Sequence, residues 1–341
     1  MGKIYFTSIH HRDNQPTPAY TRGMKLNNHK KIVLLVGGVG GAKLAYGLYH
    51  AMPPEDLTII VNTGDDFWHH GLRICPDLDT VMYTLSGLVD KTNGWGVAGD
   101  TTQALDALRR YNSDEWFRLG DKDIATHLLR TQWWYEGTPL TEITRRLASS
   151  LGITCQLLPM SNSEVPTIVH TKEYGTLGFQ EYFVKYRWQP IVTSLEYVGA
   201  DATNPPPAII NAIESADAIF IAPSNPWLSV RPILSLHGMT DLLTSRHIPR
   251  IVVTPLIQGN AVKGPTAKLM SELGLSTTPT SIMQYYGTVI NGFLGDVRDE
   301  TTTSAPESVQ LRFTDTLMDS DEKRIHLAKY LLNWLNDWKS S

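Results

Sequence analysis

Cysteine is scarce in this sequence, which holds only Cys75 and Cys155 among 341 residues. Two cysteines cannot form a framework of disulfides, and they lie too far apart for the spacing of a zinc knuckle. We therefore predict that both thiols are reduced and structural. A scaffold that depends on disulfides or on structural zinc is excluded.

Long apolar segments are also absent. No apolar run approaches the ~20 residues of a membrane-spanning helix, and residues 1–31 contain no apolar core of a signal peptide. These absences predict a cytoplasmic protein with no membrane partner. Because residues 1–31 show no periodic pattern either, we interpret them as a loosely ordered extension, or one that is not native to the protein.

Charged residues make up 19% of the chain, against about 25% in a typical globular protein. The net charge of −4 is uneven, with +5 in residues 1–31 and −9 in residues 32–341. An acidic body without arginine or lysine clusters lacks the positive surface that nucleic-acid binding requires. Nucleic acid is therefore excluded as a partner, whereas the apolar content of 42% indicates a globular, ordered protein.

Apolar, β-branched runs recur along the chain, each ending in a cluster of Gly, Pro, Asn or Asp. Examples are residues 31–36, 57–61, 218–222 and 250–254. Most of these runs precede a helical pattern, and this alternation is typical of a parallel sheet. The sequence therefore predicts an α/β fold, with a Rossmann-like, doubly wound, mostly parallel sheet.

The middle of the chain departs from this alternation. Residues 77–151 are mostly helical in pattern, and residues 153–157, 167–171 and 179–186 alternate with period two, which is typical of strands. We interpret residues 32–341 as a single α/β domain with helical and β-rich insertions at about 90–200. A helix over 321–338 closes the domain.

The first candidate site is the glycine turn, residues 37–41, between the first strand and its helix. Glycines allow a phosphate to approach the backbone, and a helix N-terminus offers it free N–H groups. Neither common nucleotide motif fits, because Lys43 stands at the third glycine of the dinucleotide pattern and Leu44 at the hydroxyl position of the Walker pattern. The turn predicts a phosphate ligand, and the alternative is a tight turn whose glycines serve packing.

The second candidate is the carboxylate loop, residues 62–66, which contains Asp65 and Asp66. Mg²⁺ is held by one or two carboxylates together with substrate phosphates. Asp77 and Asp79 follow at the start of a helix predicted over 77–90, with Asp77 as its N-cap. The alternatives are a solvated turn and ordinary capping carboxylates.

Two further loops follow later strands. Ser224 and Asn225 lie in a Pro-rich loop at a strand end, and Lys263 lies in a polar loop at 258–265. Both suit a phosphate ligand, and the alternatives are a rigid turn and a solvated lysine. The pair His69 and His70 has no third metal ligand at suitable spacing, so we predict surface histidines.

The amino-acid sequences of these loops resemble those of the 2-phospho-L-lactate transferase family, which takes part in making the deazaflavin coenzyme F-420. The resembling strings include VGGVGGAKL (36–44), NTGDD (62–66), PDLDT (76–80), FRLGDKD (117–123), IAPSNPW (221–227) and AVKGP (261–265). The resemblance implies a Mg²⁺-dependent transfer of a phospholactyl-type group. The donor would be linked to guanosine diphosphate, the acceptor would be the deazaflavin precursor Fo, and GMP would be released.

The resemblance also implies roles for particular residues. Asp79 and Arg118 match positions that contact Fo, Asp65 and Asp79 are the expected metal ligands and catalytic carboxylates, and Trp68 and Trp95 are either stacking faces or core residues. The guanosine diphosphate portion is expected at Gly38, Val39, Gly40, Gly41, Lys43, Ser224, Asn225 and Lys263.

Two questions stay open at this point. The three-carbon acid of the donor could be lactyl, enolpyruvyl or glyceryl phosphate. The main alternative function is a regulatory protein of the same fold that binds nucleotide-sugars, and a nicotinamide oxidoreductase is disfavoured by Lys43. We further expect a homodimer.

Overall fold

Seven parallel strands form the central sheet in the computed structural model, which describes residues 30–111 and 116–338. They are β1 (Ile32–Val36), β2 (Leu57–Val61), β3 (Gln156–Pro159), β4 (Ala218–Ile221), β5 (Arg250–Val253), β6 (Gly292–Asp296) and β7 (Gln310–Thr314). The spatial order is β7-β6-β5-β4-β1-β2-β3. The strand order changes direction between β1 and β4, and such a switch point is where open α/β sheets bind ligands. The predicted Rossmann-like fold is confirmed.

The strands are apolar throughout because both faces of the sheet are covered. Ile32, Leu34 and Val36 of β1 enter one hydrophobic core, whereas Val33 and Leu35 enter the other. This division follows from the period of two along a strand. The sheet therefore separates two cores and holds its strand ends in one plane.

Helices pack on both faces of the sheet. The first core is built with α1, α2, α5 and α11, and the second with α6, α8, α9 and α10, while α4 packs on α5 and on residues 72–74. The helices are α1 (Gly38–Ala51), α2 (Pro76–Leu85), α3 (Gln103–Arg109), α4 (Asp121–Tyr135), α5 (Leu140–Ser150), α6 (Pro207–Ser215), α7 (Arg231–Leu234), α8 (Met239–Thr244), α9 (Thr266–Glu272), α10 (Pro279–Tyr286) and α11 (Asp321–Trp334).

Short antiparallel strands stand beside the central sheet. They are the hairpin Phe67–His69 and Leu72–Ile74, the pair Leu256–Ile257 and Asn260–Ala261, and a three-stranded sheet of Gly175–Gly178, Thr167–Thr171 and Val192–Tyr197. The three-stranded sheet confirms a β-rich region within 153–200. Thr167 N–H donates to the Gly64 carbonyl at 2.6 Å, so this sheet is fixed to the carboxylate loop.

Two predicted strands of this region differ in the structure. The alternation at 153–157 ends in β3, an edge strand of the central sheet, so the insertion predicted at about 90–200 includes one strand of that sheet. The strand predicted over 179–186 is wrong, because Glu181–Lys185 forms a wide helical turn. Phe179 and Phe183 stack with ring centroids 5.4 Å apart. Their spacing of four residues places them on the same side of a strand, with its period of two, and also of a helix, with its period of 3.6.

The predicted extension, residues 1–31, lies outside the described residues except for Lys30 and Lys31. In the part of the chain that the structure describes, no helix combines the length and the apolar character needed to cross a membrane.

Candidate functional site

A cavity of about 440 Å³ opens at the carboxyl edge of the central sheet. It is lined from the loops after five strands, by Gly38 after β1, Asp65 after β2, Ser224 after β4, Thr254 after β5 and Thr316 after β7. Because parallel strands end at the same edge, loops distant in sequence meet here. The cavity is the natural candidate for the functional site.

Most of the predicted site residues line this cavity, and Gly41 does not. A Cβ atom on Gly41 would lie 2.4 Å from Val36 Cγ2 and 2.6 Å from Ser224 Oγ. Gly41 is therefore a packing glycine, as the alternative interpretation of the turn proposed. The predicted residues that line the cavity are Gly38, Val39, Gly40, Lys43, Asp65, Asp79, Arg118, Ser224, Asn225 and Lys263.

The glycine turn requires glycine for two separate reasons. Gly38 has a φ of +65°, a left-handed conformation that side chains with a Cβ rarely adopt. Gly40 has no such φ, but a Cβ there would lie 2.7 Å from the Pro223 carbonyl oxygen. The turn thus packs tightly on the loop after β4, and α1 begins at Gly38 with its N-terminus at the cavity.

Asp77 ties the glycine turn to the carboxylate loop. Its carboxylate accepts the Gly38 N–H at 2.7 Å and the Asn62 side-chain N–H at 2.9 Å. The prediction of Asp77 as an N-cap is wrong, because α2 begins at Pro76 and Cys75 occupies the cap position. Proline is favoured at the first helical residue, so the helix begins earlier and Asp77 turns toward the glycine turn.

Asn62 is a residue of the site that had no predicted role. Its side-chain amide donates to Asp77 and, at 3.2 Å, to Asp65 Oδ1, while its Oδ1 accepts the Gly64 N–H at 2.8 Å. The amide orientation is therefore determined on both sides. Asn62 holds two buried carboxylates in fixed positions beneath the cavity.

The buried carboxylates oppose one another's ionisation. Burial raises the pKa of Asp65 well above its usual range, and the charges of Asp77, Asp66 and Asp79 raise it further. Burial also raises the pKa of Asp77 to about 6, despite the hydrogen bonds from Asn62 and Gly38. A surplus of negative charge at a cavity wall is what a bound cation relieves.

Asp66 does not line the cavity and points to Arg73 instead. The Arg73 Nη2 atom lies 3.7 Å from Asp66 Oδ2, and both side chains are nearly inaccessible to solvent. Burial raises the pKa of Asp66 to about 7, although the Arg73 charge opposes this. Of the two adjacent aspartates, only Asp65 lines the cavity.

Asp79 lies on α2 and is paired with a buried arginine of α4. Arg130 binds both carboxylate oxygens, with Nη1 at 3.0 Å from Oδ2 and Nη2 on Oδ1. Although burial alone would lower the pKa of Arg130, the facing Asp79 charge raises it. Asp79, Asp123 and His127 also offer potential metal-ligand atoms within 4.8 Å of one another, and Arg130 neutralises part of the negative charge of this group.

The loops predicted to bind phosphate use part of their polar groups internally. Ser224 Oγ donates to the Gly37 carbonyl at 2.7 Å and accepts the Gly37 N–H at 3.2 Å. Asn225 Oδ1 caps the helical turn that follows it, by accepting the N–H groups of Trp227 and Leu228 at 3.0 Å. Both residues line the cavity while they hold the loop rigid.

Lysines lie at the glycine end of the cavity. Burial lowers the pKa of Lys43, and the positive charges of Arg324 and Lys263 lower it further. Lys263 Nζ donates to the Asn93 carbonyl at 2.5 Å. Positive charges that repel one another beside a helix N-terminus suit an anionic ligand.

Aromatic rings form another part of the cavity wall. The rings of Trp95, Trp116, Phe117, Phe179 and Phe183 line it, close to Arg118. Of the two predicted tryptophans, Trp95 lines the cavity and is 43% exposed, so it is no core residue.

The outer tryptophan and the histidine pair lie elsewhere. Trp68 is absent from the cavity wall and donates to Glu164 at 2.8 Å. His70 is exposed as predicted, but His69 is buried among the rings of Trp116 and Phe117, so the prediction of a surface position for His69 is wrong.

Comparison with known proteins identifies the family of this chain. A family model described as 2-phospho-L-lactate transferase CofD matches residues 32–327. The chain is 38% identical over 303 residues to 2-phospho-L-lactate transferase of Methanosarcina acetivorans, covering 88% of this chain and 98% of the relative. It is also 38% identical over 299 residues to phosphoenolpyruvate transferase of Nocardia farcinica, covering 84% and 90%.

A solved structure shares the fold. A member of the UPF0052 family from Bacillus halodurans matches with a TM-score of 0.60 and 16% identity, covering 89% of this chain and 99% of that chain. The resemblance recognised in the sequence is confirmed by the family match, which includes every predicted site residue. The chain belongs to the family of 2-phospho-L-lactate transferase CofD.

Proposed function

We propose that the protein transfers a phospholactyl-type group from a guanosine diphosphate-linked donor to the deazaflavin precursor Fo, releases GMP, and thereby serves coenzyme F-420 biosynthesis. The observation that carries this proposal is a single cavity with three chemically distinct parts. An anion-binding end, a group of buried carboxylates and an aromatic wall meet there. These parts suit a diphosphate, the reacting groups and a flat acceptor.

The anion-binding end is suited to the diphosphate of the donor. The α1 N-terminus and its glycines allow close approach, and Lys43 and Lys263 add positive charge. The acidic body of the protein repels anions in general, so attraction depends on these local groups. We assign this end of the cavity to the guanosine diphosphate portion.

The aromatic wall is suited to the tricyclic ring of Fo. Trp116, Phe117 and the stacked Phe179 and Phe183 offer flat apolar faces, and Arg118 stands beside them with an exposed guanidinium. Aromatic rings of ligand and protein attract one another in offset or edge arrangements. Fo bound here would have its ribityl chain within the same cavity as Asp79.

The buried carboxylates of the cavity suit Mg²⁺. The pKa of Asp65 is raised by burial and by three neighbouring carboxylates, and a divalent cation removes such repulsion. Asp65 is the ligand we propose first, with Asp79 contributing a lone pair that Arg130 leaves free. When bound, Mg²⁺ would neutralise charge on the diphosphate.

The transfer forms one bond and breaks one. The terminal ribityl oxygen of Fo bonds to the phosphorus that carries the three-carbon acid, and the bond from that phosphorus to the GMP phosphate oxygen breaks. The hydroxyl proton leaves to a carboxylate, for which we propose Asp79, and GMP leaves with the bonding electron pair. Such transfers depend on positioning and charge more than on covalent chemistry.

The experiment is to incubate the purified protein with Fo, Mg²⁺ and each of the lactyl, enolpyruvyl and glyceryl donors, and to identify products by mass spectrometry. We expect GMP and one Fo adduct, whose mass names the donor. The transferases of Methanosarcina and Nocardia carry different acids in their names, so each donor is tested separately. Binding of a nucleotide-sugar without binding of Fo would instead favour the regulatory protein.

A homodimer is also proposed. Leu128, Leu129 and Tyr135 leave an apolar stripe of α4 exposed at 54%, 43% and 73%, which suits burial against another chain. Light scattering coupled to size exclusion gives the mass that decides this.

A further inference from the structure

One face of α4 is buried against Asp79. Asp123, His127 and Arg130 occupy successive turns of this face, and their side chains lie between Asp79 and the hydroxyl of Tyr83. The side chains of His127 and Arg130 are 2% and 1% exposed. Several polar side chains can be buried together only when they pair with one another, because each unpaired polar group in the interior is costly.

Arg130 determines the protonation of His127. The Arg130 Nη1 atom lies 3.1 Å from His127 Nδ1. A guanidinium can only donate, so Nδ1 must carry a lone pair and the proton of the neutral imidazole must be on Nε2. Nε2 lies 3.3 Å from Asp123 Oδ1, so its proton faces the charge of that carboxylate, although the pair does not have the geometry of a hydrogen bond.

Asp123 completes the series at its other end. Its Oδ1 atom accepts the Tyr83 hydroxyl at 2.6 Å. Tyr83 and Arg130 therefore stand at the two ends of the series as donors. Their protons are directed to the carboxylates of Asp123 and Asp79 and to the imidazole of His127. With Asp123 and Asp79 both accepting, no member can rotate without losing a buried hydrogen bond.

We propose that Asp123, His127 and Arg130 are positioning residues that hold the Asp79 carboxylate in one orientation toward the cavity. This inference rests on the proposed function in assigning the acceptor hydroxyl to Asp79. Arg130 binds both oxygens from the protein side, so the remaining lone pairs are available to a ligand. His127 holds the guanidinium plane by accepting from Nη1, and the nearby Asp123 carboxylate favours a proton on Nε2 of His127.

The first test does not depend on any substrate. Two-bond ¹H–¹⁵N spectra of the ¹⁵N-histidine protein at neutral pH report the tautomer of each imidazole, and the signals lost in His127→Asn identify His127 among the eleven histidines. We expect unprotonated Nδ1 and protonated Nε2. A proton on Nδ1, alone or together with one on Nε2, would overturn the series.

The second test uses kinetics with Fo and the donor. We expect Arg130→Lys to lower kcat on the order of 100-fold, because displacing a reacting group by about an ångström costs that much, while the donor KM is unchanged. The matched control is Arg73→Lys, another buried arginine, which pairs with Asp66 and Glu164 and does not line the cavity. This control is expected to lower thermal stability and to retain kcat.

Two substitutions of His127 separate positioning from mere packing. Asparagine keeps an acceptor near the Nδ1 position, and glutamine keeps a donor near Nε2. If His127 acts through Arg130, His127→Asn retains about tenfold more kcat than His127→Gln, the value of one hydrogen bond. The reverse order would contradict the role of Arg130.

The outcomes distinguish this inference from the proposed function. A wild-type protein that transfers nothing to Fo refutes the proposed function. The tautomer of His127 measured by NMR then still tests the hydrogen-bonded series, because that measurement needs no substrate. An active wild type together with an undiminished kcat in folded Arg130→Lys refutes the positioning role alone. Folding of each variant is checked by circular dichroism and thermal unfolding.

Discussion

Replacing Asp77 by asparagine is expected to weaken ligand binding without lowering stability at alkaline pH. Asp77 has a pKa of about 6 in the folded protein against 3.8 in the unfolded chain. The folded state therefore binds more protons between these values, and the free energy of unfolding falls as pH rises through that window. Above pH 6 the buried charge costs about 3 kcal/mol relative to the protonated acid.

Asparagine removes this charge but makes one poor contact. Asp77 accepts from Gly38 and from Asn62, and Asn62 cannot reverse its amide because its Oδ1 already accepts the Gly64 N–H. The new NH₂ group therefore faces a donor, at a cost of about 1–3 kcal/mol. At pH 8 the variant should match the wild type or exceed it by up to about 2 kcal/mol.

The assay is urea unfolding of both proteins from pH 4 to pH 8, with chelator present. We expect the difference in unfolding free energy, variant minus wild type, to rise by about 3 kcal/mol across this range. GDP affinity should fall about tenfold, because the single oxygen of the new amide cannot accept from both Gly38 and Asn62, so the glycine turn is no longer tied to the carboxylate loop.

The control is Asp106→Asn, at an exposed carboxylate that pairs with Arg109 on α3. It should change neither stability nor GDP affinity. If the difference in unfolding free energy between Asp77→Asn and wild type does not vary with pH, Asp77 is not a buried charge. If GDP affinity is unchanged, Asp77 does not hold the glycine turn.

Three further predictions concern the same site and the two thiols. Gly40→Ala should abolish GDP binding in calorimetry, because its Cβ would lie 2.7 Å from the Pro223 carbonyl oxygen. Asp65→Asn should lower transfer by about 100-fold and remove its dependence on Mg²⁺ in a metal titration. Cys75 and Cys155 should not react with a thiol reagent at pH 8 until the protein unfolds, because burial raises the pKa of both, that of Cys155 to about 12.

The sequence predicted those parts of the site that lie within one loop. The glycine turn and the carboxylate loop each follow a parallel strand, and the carboxyl ends of parallel strands share one edge of the sheet. Gly38 and Asp65 could therefore be expected together from the sequence alone. The resemblance added Arg118, which composition and spacing left without a role. The structure brings all three to one cavity.

The parts that were missed depend on partners distant in sequence. Asp123, His127 and Arg130 show a helical spacing that fits any buried helix face, and nothing local names Asp79, 51 residues from Arg130, as their partner. Asp77 looked like a helix cap because its own helix is the nearest group in sequence. Its actual partner, Gly38, lies 39 residues away.

The sequence by itself determined the fold class, the place of the glycine turn and the family, because strand periodicity, glycine conformation and ordered motifs are local properties. Only the tertiary structure decided which groups each carboxylate faces. Asp65, Asp66, Asp77 and Asp79 are the same residue type within 15 positions. Yet Asp65 has mainly like charges around it, Asp66 and Asp79 are paired with arginines, and Asp77 holds the glycine turn. Burial and the charge of the nearest partner set the chemistry of a carboxylate, and both arise from packing.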